Sequence, residues 1–118
     1  MDVKLYCIFD SKSCVYDRPV SMSNDGEARR WFGDLCLDKK SVLGRHPEDF
    51  SLALVGQFND NSGIIVPVVN IVTVVTGVEI VAEFVAKQQE LFAGGDARFG
   101  MSADQLINGE DERSGDNA

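Results

Sequence analysis

The 118 residues carry 11 Lys and Arg against 19 Asp and Glu, a net charge of −8, and 44% of them are hydrophobic. That length and apolar content suit one ordinary domain with a real core, and exclude both a two-domain protein and a wholly disordered chain. The negative charge counts against a simple DNA-coating role, and three cysteines with no C-x-x-C fit a reducing compartment better than a disulfide framework.

Residues 3–9 read as a strand, with Leu5, Cys7 and Phe9 on one face and Tyr6 and Ile8 on the other. A turn over Asp10–Ser13 returns the chain through Cys14–Val20, and Pro19 marks this second strand as an edge, because proline has no N–H for the ladder. Asn24 and Glu27 have the spacing of an N-cap and its reciprocal partner. Ala28, Trp31, Phe32, Leu35 and Cys36 then form one apolar stripe, which predicts an amphipathic helix. A polar connection runs through Asp38–Lys40 and Gly44–Asp49, where Pro47 followed by two acids opens a single helical turn.

Ser51–Phe58 reads as a strand with Leu52 and Leu54 inward, and Asn59–Gly63 as a turn. Ile64–Val75 is a β-branched strand, bent or broken at Pro67 and Asn70. The uncharged run from Ile64 to Val78 is shorter than the roughly 20 residues a membrane helix needs, and reads instead as a buried strand region. No secretory leader is expected, because Asp2 and Lys4 interrupt the opening apolar run. Thr76 and Glu79 form a capping box for a second helix. Ile80, Val81, Phe84, Val85, Leu91 and Phe92 give that helix an apolar side, and Gly94-Gly95 ends it. A short third helix is expected over Ser102–Asn108.

The order β-β-α-β-β-α predicts an α+β fold, a small antiparallel sheet with helices packed on it. Residues 1–108 make the single domain, and 109–118 a disordered acidic tail. The tail either solubilises the chain or offers its negative charge to a basic partner, as nucleic acid would.

Chemistry is sparse. There is one histidine, no paired cysteine and no phosphate-binding glycine motif, so no metal and no cofactor is expected. No nucleophile stands with a base, and Glu48-Asp49 and Glu110–Glu112 read as surface charge, so no catalytic residues are assigned and the chain is expected not to be an enzyme. Cys7 and Cys36 read as small core residues. The basic side chains are better placed. Arg29, Arg30, Lys39, Lys40 and Arg45, with His46, form a nucleic-acid-binding patch if the fold gathers them beside Tyr6, Tyr16 or Trp31. Trp31, however, lies in the helical stripe and is expected in the core.

The segments Lys4–Asp10, Glu27–Leu35 and Gly44–Gly63 resemble the small non-structural protein of gokushovirus-type microviruses, which are single-stranded-DNA bacteriophages. The shared pattern is an opening strand ending in Asp10, a helix with Phe32 before Asp34-Leu35, then His46–Phe50, Gly56 with Phe58, and a turn ending at Gly63. The resemblance spans residues 3–63. It implies a non-structural accessory protein of the host cytoplasm that binds DNA during single-stranded genome synthesis or packaging. The alternative is an adaptor that acts on a phage replication or assembly protein, or on a host protein, without touching DNA.

An apolar strand with no charge is an aggregation hazard unless it is covered. Ile64, Ile65, Val66, Val68, Val69, Ile71, Val72 and Val74, with Val81, Phe84 and Val85 of the second helix, are therefore expected to form the interface of a homo-oligomer, most simply a dimer.

Overall fold

The computed structural model describes the backbone of residues 1–99, with side chains through Phe92. The elements are β1 (Asp2–Asp10), β2 (Val15–Tyr16), β3 (Val20–Met22), α1 (Asp25–Leu37), α2 (Val42–Arg45), a 3-10 turn (Pro47–Asp49), β4 (Phe50–Asn59), β5 (Ile65–Thr76) and α3 (Gly77–Phe99). Residues Met1–Ala82 form one compact unit, and the remainder of α3 belongs to a second. The expected α+β class and antiparallel sheet are present. The helix expected over Ser102–Asn108 and the acidic tail lie outside the described residues.

All strand pairs are antiparallel, in the order β2-β1-β4-β5, with β3 also paired to β1. The expected single strand Cys14–Val20 is instead split. Phe9 and Asp10 pair with Tyr16 and Val15, while Lys4–Tyr6 pair with Val20–Met22. Asp17-Arg18-Pro19 interrupts the two, as the rigid, donor-less proline requires. Cys14 takes a left-handed φ of 60° to close the turn, and its N–H bonds the Asp10 carbonyl at 2.8 Å.

α1 begins as its sequence dictates. The Asn24 side chain accepts from the Glu27 N–H at 2.8 Å, and the Glu27 carboxylate accepts from the Ser23 N–H, one residue earlier than a strict capping box. Ala28, Phe32 and Cys36 are buried one turn apart and meet Tyr6, Ile8, Leu52 and Val75 of the sheet. Trp31 and Leu35 flank this core, half-buried. Fully burying an aromatic or aliphatic side chain contributes about 1.5–3 kcal/mol, so Phe32, Leu52 and Val75 hold much of the unit's stability. Tyr6 is also fully buried, and its hydroxyl donates to the Asp25 carboxylate at 2.5 Å. Burial, and then Asp25, raise the phenol well above its ordinary range, while the hydrogen bond from Tyr6 lowers the Asp25 carboxyl.

α3 starts at the expected capping box: the Thr76 N–H donates to the Glu79 carboxylate at 2.8 Å, and the Thr76 hydroxyl accepts from the Glu79 N–H at 3.1 Å. It does not stop at Gly94-Gly95, and runs on to Phe99. Two glycines cost helix propensity, but they do not break a helix unless a left-handed cap follows them.

β5 departs most from expectation. In place of the buried strand region expected here, Ile64, Ile65, Val66, Val69, Ile71 and Val72 are all more than half exposed. β5 is an edge strand, and successive residues point to opposite faces, neither of which is covered along this stretch by the described residues. The expected break at Pro67 and Asn70 is there. Gly56 pairs with Pro67 and Leu54 with Val72, so Val55 alone stands opposite Val68, Val69, Asn70 and Ile71. That stretch bulges from the sheet, and Val69 at its crest is 97% exposed.

Candidate nucleic-acid interface

The basic residues named from the sequence fall into two places. Lys39, Lys40 and Arg45 share one short segment, in which Arg45 folds back onto Lys40. Lys39 and Lys40 are exposed in the turn after α1, and Asp38 accepts the Lys40 N–H at 2.9 Å. The Ser41 hydroxyl donates to the Leu35 carbonyl and caps α2 by accepting the Gly44 N–H. A single turn of helix then swings Arg45 back, and its guanidinium donates to the Lys40 carbonyl at 2.9 Å. Gly44 makes the fold-back possible: a Cβ there would lie 2.5 Å from the Asp38 carbonyl carbon, and closer to its oxygen.

Arg29 and Arg30 do not join them. Both project from the first half of α1, and about 10 Å of helix axis separates Arg30 from Leu37. Arg30 borders a separate hollow with Met22 and Trp31, but Glu27 and Asp34 line the same hollow and offset its charge. Tyr6 is fully buried and cannot stack on a base.

Val42 and Leu43 of α2 line a half-open cleft of about 340 Å³, together with Ile8, Val15, Tyr16 and Phe50. Tyr16 is 45% exposed and its ring lies 4.6 Å from that of Phe9. Asp10 and Asp17 also border the cleft. The arrangement is an apolar, aromatic recess, two of whose lining residues, Val42 and Leu43, share α2 with Arg45. Exposed aromatic and basic side chains are the chemistry that single-stranded nucleic acid requires of a binding surface. The two carboxylates repel phosphate from the recess itself and can accept hydrogen bonds from base amino groups.

The turn between α2 and β4 holds a group of possible metal ligands that lacks the usual zinc spacings. One ligand atom each from His46, Glu48 and Asp49 lie within 4.8 Å of one another, an imidazole and two carboxylates suited to a divalent cation. His46 and Glu48 are exposed, with Nδ1 and Oε2 3.9 Å apart. The backbone of the turn is structural. The Asp49 carbonyl accepts the Ser11 N–H at 2.9 Å, and Pro47 packs directly on Gly77. Much of the His46–Phe50 motif therefore joins β1, β4 and the start of α3.

Comparison with known proteins places the chain. A family described as Phage ORF5 protein matches residues 3–80. The chain belongs to this ORF5 family. A protein ORF5 of Chlamydia phage 1 is 34% identical over 96 residues, covering 77% of this chain and 100% of that protein. No solved structure matches. The ORF5 match runs beyond the resemblance seen over residues 3–63 and takes in β5 and the first turn of α3. It also contains Lys39, Lys40 and Arg45. Among the described residues of this ORF5-family chain, no helix is long and apolar enough to cross a membrane.

Proposed function

We propose that this ORF5-family chain is a non-enzymatic phage accessory protein that binds single-stranded DNA in the host cytoplasm during genome synthesis or packaging. Lys39, Lys40 and Arg45 contact phosphates, and the neighbouring cleft takes a base against Tyr16. The observation that carries this reading is the pinning of Arg45 to the Lys40 carbonyl in a short helix whose Val42 and Leu43 line an aromatic recess. Three cations lie within seven residues, the guanidinium of Arg45 held by the Lys40 carbonyl, with no acid between residues 39 and 47. Residues 1–82 hold 8 Lys and Arg against 11 Asp and Glu, so the interface works against only a modest negative background in its own unit.

The test is fluorescence anisotropy of labelled oligonucleotides at two salt concentrations. Three phosphate contacts to a single strand give a log–log salt slope of about −2, or about 20-fold weaker binding on going from about 50 to about 200 mM salt. Replacing Lys39, Lys40 and Arg45 together by Gln should abolish both binding and slope. Salt-indifferent binding, or an unaffected triple variant, would overturn the reading. The adaptor alternative draws on the exposed apolar side chains of β5; a stable complex with a phage or host protein, indifferent to added DNA, would favour it.

A further inference from the structure

We infer that the outer edge of β5 pairs with β5 of a second copy of the chain, antiparallel across a two-fold axis at Asn70. This rests on observations independent of the DNA reading.

The outer side of β5 carries no partner strand among the described residues. Its sequence is self-complementary about Asn70. Counting outward, Val69 stands against Ile71 and Val68 against Val72. In an isologous contact residue i meets residue j and j meets i, so a strand of this pattern brings apolar side chains together at each such position. Asn70 meets its own twin on the axis. A carboxamide both donates and accepts, so two of them can bond each other, and a lone polar residue in an apolar seam fixes its register.

Charge and exposure point to the same occupant. No charged residue lies between Ile64 and Val78, so two chains of net charge −8 can meet here without opposing like charges. DNA or a basic protein would find nothing to bind. Six large apolar side chains from Ile64 to Val72 are more than half exposed, an uncovered patch of the kind that marks an interaction surface. Pro67, lacking an N–H, closes the pairing at one end. That leaves Val68–Val72, five residues centred on Asn70, as the paired stretch, an ordinary strand length. The bulge sets these residues forward of β4, where a second chain can reach them.

The experiment is sedimentation of the full chain at tens of micromolar. A dimer is expected. Val69→Lys, at a position 97% exposed, should keep the fold by circular dichroism and weaken association by roughly a hundredfold or more. Register is read by oxidative cross-linking in a Cys14→Ser background, which removes the exposed native thiol. Asn70→Cys should cross-link efficiently and Val66→Cys should not. A monomeric wild type, a dimer indifferent to Val69→Lys, or cross-linking at Val66 in preference to Asn70 would overturn the inference.

Discussion

Gly77→Ala sets two local effects against each other, and the structure decides between them. Gly77 is the first residue of α3, where alanine gains up to about 1 kcal/mol of helix propensity over glycine. A Cβ there, however, would lie 2.8 Å from the Pro47 carbonyl carbon and 3.0 Å from its Cα, with the oxygen nearer still. All three are main-chain atoms and cannot rotate away. Either the His46–Asp49 turn or the start of α3 must move by on the order of 1 Å, and overpacking of this kind costs about 1–3 kcal/mol. The turn is not free to yield, since the Asp49 carbonyl holds the Ser11 N–H. The net expectation is destabilisation by about 1–2 kcal/mol, seen in urea unfolding as a midpoint lowered by roughly 1 M at unchanged slope. Gly33→Ala is the matched control. It lies in α1, and its Cβ would meet the Ile80 side chain at an ordinary 3.5 Å, so it should stabilise by about 0.5–1 kcal/mol. If Gly77→Ala unfolds at the same urea concentration as wild type or later, the close approach to Pro47 is not a constraint and the reasoning fails.

Tyr6→Phe should destabilise by about 1 kcal/mol at neutral pH, the low end for a hydrogen bond to a charged group because Asp25 is largely solvated. Asp25 has a lowered folded-state pKa, so this stabilisation is present above the ordinary carboxyl value of about 3.9 and lost as pH falls through the folded value. Unfolding curves of wild type and variant should therefore converge below about pH 4, and a constant gap would refute the assignment. Thiol titration at pH 8 should find Cys14 reactive. Cys36, whose pKa burial pushes to about 11, and the buried Cys7 should react only on unfolding. Rapid modification of all three in the native protein would contradict the packing.

The elements legible in the sequence are those whose signals are local. Asn24, Thr76 and Glu79 announce helix starts by side-chain chemistry within one turn, and the Ala28-Phe32-Cys36 stripe is set by helical periodicity alone. The environment of β5 was not legible in this way. A run of Val and Ile is compatible with a central strand or an edge, and only the pairing order shows that, among the described residues, no strand flanks its outer side. The basic residues illustrate the same limit. Arg45 returns to Lys40 because Ser41 and Gly44 fold the chain back within that short segment. Arg30 precedes Lys39 by only nine residues, yet the helix between them holds it about 10 Å back along its axis.

The interruption of the opposite sheet margin by Asp17-Arg18-Pro19 bears on how far any assembly through β5 can grow. β2 and β3 are two and three residues long, and the charged, proline-containing break between them offers no continuous ladder to an incoming strand. One margin of the sheet is thus adhesive and the other is terminated. Two copies joined at their adhesive margins present only terminated ones outward, so the assembly is finite and cannot propagate into a fibre by the same contact.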